Sequence, residues 1–263
     1  MACDLEAARI TSLPGEAFYI ADFISEDEEE CLLQKVFLFW VAIYTPVDIR
    51  PQVASAPLPR WTHLSHRRLQ TWPSALTKSN TLLESDLPSW LISPIIEPRF
   101  NALGIFKGAP HGTPNHVLIN EYHPGQGIMP HEDGAAYHPL VATVSLGAPI
   151  VLDIYEKNSK HPAEQGGERD HPHIRKPQFR ILQERRSLLI TRGLLYTEFL
   201  HGIAETCRDE DLGPQSVCNW HLLREKDAFL VGGYDRQTRT SLTYRDVLKV
   251  AKMGNTLKFL SGK

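Results

Sequence analysis

Residues 116–134 read HVLINEYHPGQGIMPHEDG, which is a strand pattern followed by a glycine-rich turn and a group of polar side chains. In an extended chain, successive side chains point to opposite faces, so Asn120 and Tyr122 share a face with Leu118. An amide and a phenol inside a β-protein need hydrogen-bonding partners, which a bound polar ligand would supply. The alternative is that Tyr122 bonds a backbone carbonyl and Asn120 caps a turn.

Short apolar runs separated by Gly and Pro turns continue downstream of this stretch. They predict further strands at residues 141–146, 149–155, 187–191, 196–200 and 240–244. Many short strands at this spacing are typical of a β-sandwich or barrel. The sequence therefore predicts a mainly β fold.

The upstream part of the chain adds flanking helices. A strand at residues 18–20 leads to Ser25, which suits a helix N-cap because acidic residues follow it in the first turn. A second helical segment is expected within residues 88–106, interrupted by Pro94 and Pro98.

Three side chains of metal-binding type stand out beyond the turn. His131 and Asp133 form an H-x-D pair, and His201 follows an apolar run further downstream. If the H-x-D segment is extended, both side chains of the pair point to one side. Two neutral imidazoles and one carboxylate bind Fe(II) in non-haem iron oxygenases and leave coordination positions open. Taken singly, the pair fits a polar surface turn and His201 fits a core histidine.

Two arginines near the C-terminus suggest a site for a dianion. Arg239 and Arg245 are separated by an even number of residues, so a strand would place both on one face, with Cα atoms roughly 20 Å apart at about 3.3 Å per residue. Arginine binds carboxylates bidentately and stays charged. Such a pair could bracket a short dicarboxylate, although it is also common on a solvated strand.

The composition sets limits on the class of protein. The chain has 263 residues, of which 42% are hydrophobic and 22% charged, with a formal net charge of −3. That charge gives no global electrostatic case for nucleic-acid binding. We expect reduced cysteines and a location in the cytoplasm and nucleus, because no C-x-x-C spacing, signal peptide or membrane-spanning run is present. We also expect a monomer, for which the sequence supplies no argument.

The ordered set N-x-Y, M-P-H-x-D-G, H-G-I and R-x5-R resembles the AlkB family of Fe(II)/2-oxoglutarate dioxygenases. The resemblance extends from about residue 18 to the C-terminus and implies a double-stranded β-helix (jelly roll). It implies Fe(II), 2-oxoglutarate and O2 as cofactor and co-substrates, and oxidative demethylation of an alkylated nucleic-acid base as the activity. The implied Fe(II) ligands are His131, Asp133 and His201. The implied 2-oxoglutarate residues are Asn120, Tyr122 and Arg239 at the distal carboxylate, and Arg245 near the chelating end.

The resemblance also suggests how the chain is divided. Residues 1–113 would form an N-terminal extension with helices and a substrate-recognition lid, and residues 114–250 the dioxygenase core. Residues 251–263 would form a tail, and the polar segment 157–178 a mobile loop whose three histidines are solvated. Within the expected lid, residues 60–72 combine cations with two tryptophans, a mixture suited to contact with alkylated RNA or DNA. The alternative is an amphipathic hairpin with core tryptophans.

Two other functions stay open at this point: a protein-directed dioxygenase, and a low-turnover nucleic-acid or protein binder with an intact iron site. Residues 36–52 interrupt the family pattern. Valine codons begin with GT and a glutamine codon can end with AG, so the segment could be a retained intron. The alternatives are an extra strand and a membrane-touching loop.

Overall fold

Two antiparallel β-sheets, one of seven strands and one of four, face each other across a cavity in this computed structural model, which describes residues 5–41, 61–157, 176–230 and 233–252. The strands are β1 (Glu16–Ile20), β2 (Thr62–Leu64), β3 (Arg67–Trp72), β4 (Leu82–Leu83), β5 (His116–Tyr122), β6 (Ile128–His131), β7 (Leu140–Leu146), β8 (Ile150–Glu156), β9 (Phe179–Gln183), β10 (Leu188–Arg192), β11 (Phe199–Ile203), β12 (Arg208–Asp209), β13 (Tyr234–Asp235), β14 (Arg239–Arg245) and β15 (Val250–Ala251).

The large sheet has the order β1-β10-β7-β14-β5-β3-β2, and the small sheet has the order β6-β11-β8-β9. Strands β5, β7, β10 and β14 lie in the large sheet, and the intervening strands β6, β8, β9 and β11 lie in the small one. Eight strands that pass between two sheets in this way form a jelly roll. The predicted double-stranded β-helix is therefore confirmed.

Strands from the first part of the chain extend this framework. The first strand, β1, pairs with β10 at one edge of the large sheet, and the β2–β3 hairpin pairs with β5 at the other. The division of the chain at residue 113 stays a prediction.

The helices are α1 (Glu26–Val41), α2 (Ser89–Leu91), α3 (Asn101–Leu103) and α4 (Leu194–Thr197), with 3-10 turns at Leu5–Ala8, Trp220–Leu222 and Lys226–Phe229. An irregular helical segment, Ile92–Phe100, joins α2 to α3. Its residues Ser93 and Glu97 are extended because each precedes a proline, so the predicted interruptions are confirmed. The predicted cap also forms: Ser25 Oγ accepts the Glu28 N–H at 3.2 Å, and the Glu28 carboxylate accepts the Ser25 N–H at 2.8 Å.

The main hydrophobic core lies between these helices and the outer face of the large sheet. Its members include Leu32, Leu91, Ile95, Phe100, Val117, Ile119, Val144, Leu242 and Tyr244. Burial of this apolar surface is the main favourable contribution to folding. The inner face of the sheet is thereby left for the cavity.

One predicted strand is wrong at its start. Residues 194–197 form the helical turn α4, and the strand begins only at Phe199. Gly193 causes this change because its φ of 60° turns the chain after β10. Strand β9 was not predicted, since it follows directly on the polar segment.

Several sequence interpretations lie outside the described residues. They concern residues 42–60 of the suspected insertion and its flank, the central part of the 157–178 segment with its histidines, and residues 253–263 of the tail. Within the described ranges, no helix has the length and apolar character needed to cross a membrane.

The strands β12 and β13 are joined by a buried ion pair whose loss we expect to be costly. Arg236 donates to both oxygens of Asp209 at 2.8 and 2.7 Å. We expect Arg236→Ala to lower the free energy of unfolding by about 3–5 kcal/mol, because it leaves a buried carboxylate without its partner. Arg224→Ala, which removes an exposed pair with Asp22, should cost less than about 1 kcal/mol in the same urea titration. Equal effects of the two variants would contradict this expectation.

Candidate active site

Two histidines face each other across adjacent strands of the small sheet. His131 on β6 is the register partner of His201 on β11, and their ring centroids lie 4.4 Å apart. The Met129 carbonyl can only accept, so His131 Nδ1 donates to it at 2.9 Å, which leaves Nε2 as the ring nitrogen available to a metal. Burial lowers the pKa of His201 to about 4, which keeps that imidazole neutral at pH 7. Both rings are therefore prepared to act as ligands.

Asp133 lines the same cavity but lies outside a strand. Strand β6 ends at His131, so Asp133 follows the strand, and the His131 and Asp133 side chains line the same cavity. Arg245 Nη1 donates to Asp133 Oδ1 at 2.6 Å. Burial raises the pKa of the Asp133 carboxyl, but the charge and hydrogen bond of Arg245 together with the nearby His201 and His131 outweigh burial, and the pKa lies below its ordinary value.

The three side chains suit Fe(II) by chemistry, since they comprise two imidazoles and a carboxylate around one cavity. As they are placed here, the described residues contain no group of three His, Cys, Asp or Glu side chains positioned to hold a metal ion. The carboxylate of Asp133 is paired with Arg245.

The strand β14 carries the predicted arginine pair on the cavity side. Arg239, Ser241, Thr243 and Arg245 all line the cavity, which has a volume of about 260 Å³. The even spacing on a strand is thus confirmed for both arginines. On the neighbouring strand β5, the side chains of Leu118, Asn120 and Tyr122 line the same cavity, as their shared face predicted.

Arg239 is a buried cation whose hydrogen-bond partners are neutral. The residue is 3% exposed, and its Nη2 donates to Ser145 Oγ at 2.8 Å and to Gln183 Oε1 at 3.2 Å. Burial lowers its pKa to about 10, and its Nε has no hydrogen-bond partner. Within the described part of the chain Arg239 forms no ion pair. A buried charge without a counterion is expensive, so this position is suited to an anionic ligand.

The sequence argument did not single out Ser145, Gln183 or Tyr196, which also belong to this site. Gln183 ends the unpredicted strand β9, whose apolar Ile181 and Leu182 were the available signal. Tyr196 was placed on a strand instead of in α4. Its hydroxyl donates to the Gly134 carbonyl at 2.7 Å, which ties the residue after Asp133 to the turn before His201.

We expect Tyr196→Phe to weaken Fe(II) binding roughly tenfold, because the residue would no longer fix the backbone beside Asp133. Tyr137→Phe is the matched control, since the Tyr137 hydroxyl makes no hydrogen bond with the described residues although its ring lies 4.5 Å from the Arg245 guanidinium carbon. Anaerobic equilibrium binding of Fe(II) measures both variants. Identical affinities would show that Tyr196 does not position the site.

The hairpin β2–β3 orients its tryptophans toward the protein core. Trp72 is buried and stacks edge-on against Trp90, and Trp61 packs against the same core beneath Arg68. The described tryptophans therefore support the alternative of a hairpin with core tryptophans. Contact of residues 60–72 with alkylated RNA or DNA stays a prediction.

A jelly roll with two histidines, a carboxylate and buried arginines around one cavity is the architecture of the 2-oxoglutarate-dependent iron oxygenases as a class. The sequence profile of the 2OG-Fe(II) oxygenase superfamily matches residues 51–245. The chain is 39% identical to "Probable RNA/DNA demethylase ALKBH6" of Danio rerio, over 95% of this chain and 93% of that protein. The chain belongs to the 2OG-Fe(II) oxygenase superfamily and is of the AlkB type.

Two further similar proteins have lower identity to this chain. The chain is 28% identical to "tRNA (carboxymethyluridine(34)-5-O)-methyltransferase ALKBH8" of Macaca fascicularis, over 91% of this chain but only 31% of that protein. Among solved structures, OsALKBH1 has a TM-score of 0.47 at 15% identity, covering 90% of this chain and all of that one.

Proposed function

We propose that this oxidoreductase removes alkyl groups oxidatively from a nucleic-acid base. His131, Asp133 and His201 would hold Fe(II), and Asn120, Tyr122 and Arg239 would hold the distal carboxylate of 2-oxoglutarate. Arg245 would lie near the chelating end. The observation that carries the co-substrate assignment is the buried Arg239, which has no anionic partner within the described residues.

The side chains of the cavity have distinct tasks in this proposal. The Met129 carbonyl fixes the tautomer of His131, and Arg245 orients the carboxylate of Asp133. Ser145 and Gln183 hold the guanidinium of Arg239 in place. The apolar walls, which include Leu118, Ile154 and Ile203, limit access of water and so strengthen these charged contacts.

When bound, Fe(II) and 2-oxoglutarate supply the oxidation: O2 gives one oxygen atom to succinate, with release of CO2, and the other to the substrate. Hydroxylation of an N-methyl group yields an N-hydroxymethyl group, which leaves as formaldehyde and returns the proton to the base nitrogen. The relative from Danio rerio is described as a probable RNA/DNA demethylase, which supports this class of substrate.

Succinate formation tests the proposed substrate class. Fe(II)-loaded protein is incubated with 2-oxoglutarate and with methylated RNA, methylated DNA or methylated peptides, alongside their unmethylated counterparts. We expect succinate and formaldehyde in equal amounts with a methylated nucleic acid only, and none from His131→Ala.

Turnover restricted to methylated peptides would overturn the nucleic-acid assignment and favour a protein-directed oxygenase, which the net charge of −3 also suits. Binding without turnover on any of these substrates would favour the low-turnover binder.

A further inference from the structure

The cavity contains one more arginine than the iron and co-substrate sites require. Three guanidinium groups line it, those of Arg67, Arg239 and Arg245. Arg245 is paired with Asp133, and the other acidic residue of the lining, Glu132, is bonded to Lys157. If Arg239 binds the distal carboxylate of 2-oxoglutarate, Arg67 still has no counterion there.

Arg67 reaches the cavity because of strand alternation in the hairpin. Successive residues of β3 point to opposite faces, so Arg67 faces the cavity and Arg68 faces away. Arg68 is a structural arginine: it donates to both oxygens of the fully buried Glu121, at 2.6 and 3.0 Å. Arg67 is half-buried, and its Nε donates to Asn120 Oδ1 at 3.3 Å.

The remaining nitrogens of Arg67 are free to bind an anion. Within the described residues, the side chain makes no hydrogen bond other than that to Asn120 and forms no ion pair. Residues 61–72 contain no Asp or Glu, so no acidic neighbour on the hairpin competes for the guanidinium. A planar guanidinium with two free donors matches two oxygens of a phosphodiester.

We propose that Arg67 binds a backbone phosphate of the nucleic-acid substrate at the rim of the cavity. This assignment rests on the proposed function and deepens it. The hairpin tryptophans pack against the core, so we assign the contact with the nucleic acid to the Arg67 guanidinium. A contact with a phosphate depends on charge and carries no information about base identity. Arg67 is thereby distinct from the residues assigned to Fe(II) and 2-oxoglutarate.

The test measures binding of short single-stranded methylated RNA and DNA oligonucleotides to the Fe(II)- and 2-oxoglutarate-loaded protein without oxygen. Affinity is followed by fluorescence anisotropy over a range of salt concentrations. We expect Arg67→Gln to weaken binding roughly tenfold and to reduce the slope of log K against log salt by about 0.7, the contribution of one phosphate on a single strand. Arg67→Lys should keep the slope, because it keeps the charge, while losing affinity.

Arg9→Gln is the matched control for the lost charge. Arg9 forms an isolated bridge with β1 at the opposite edge of the large sheet and is half-buried, as Arg67 is. An Arg67→Gln variant with the affinity and slope of Arg9→Gln would overturn the proposal, as would a loss of 2-oxoglutarate affinity in place of oligonucleotide affinity.

The binding experiment distinguishes failure of the Arg67–phosphate contact from failure of the proposed function. If the wild-type chain binds the oligonucleotides and only the Arg67 effect is missing, the phosphate contact is wrong and the proposed function stands. If the wild-type chain binds no oligonucleotide and turns over methylated peptides, both are overturned.

Discussion

Asp133→Ala is expected to abolish retention of iron, with at least about a hundredfold loss of Fe(II) affinity. The change removes the one anionic side chain among the three proposed ligands, and mutation even of outer residues of a metal site costs about 10–100-fold. Iron content per chain after anaerobic loading and gel filtration measures the effect. Asp133→Asn gives a variant of similar shape, in case the loss of the Arg245 partner destabilises the alanine variant.

Glu132→Ala is the matched control for this prediction. Glu132 also lines the cavity and carries the same charge, but it bonds Lys157 near the protein surface. We expect this variant to retain iron as the wild-type chain does. Undiminished iron content in both Asp133 variants would remove Asp133 from the metal site.

Arg239→Ala should weaken 2-oxoglutarate binding by about 10–100-fold, while Fe(II) still binds. A hydrogen-bonded contact to a charged group contributes about 1.5–3 kcal/mol, and the buried position of Arg239 favours the upper part of that range. The dissociation constant for 2-oxoglutarate, determined by calorimetry with the metal-loaded protein without oxygen, gives the answer.

Comparison of Arg239→Ala with Arg236→Ala separates an effect on 2-oxoglutarate binding from an effect on folding stability. Arg236 is also buried but is paired with Asp209, so its loss should lower stability. Arg239 has no such partner within the described residues, so its removal relieves an uncompensated buried charge and should not lower the melting temperature comparably. An unchanged 2-oxoglutarate affinity in Arg239→Ala would place the co-substrate elsewhere.

Much of the site could be predicted because strand geometry determines it. The face shared by Leu118, Asn120 and Tyr122, and the face shared by Arg239 and Arg245, follow from the two-residue period of a strand. The interruptions before Pro94 and Pro98 follow from local sterics in the same way. These predictions depend only on neighbouring residues.

Other features of the site depend on contacts between distant parts of the chain. Asp133 lies beyond the end of β6, and its carboxylate accepts a hydrogen bond from Arg245. Trp72 turns inward because Trp90, from a separate helix, completes the core around it. Neither contact can be predicted from neighbouring residues. The site was predicted from the order of the motifs N-x-Y, H-x-D, H and R-x5-R along the chain.

The most direct test of the iron and co-substrate site is an anaerobic titration of the Fe(II)-loaded protein with 2-oxoglutarate. The visible charge-transfer band of the iron chelate is followed, and every sample is checked for folding by circular dichroism. The site described here predicts a saturable band that is absent in His131→Ala and Asp133→Ala. A well-folded wild-type protein that develops no band, or variants that keep it, would contradict the assignment of this cavity.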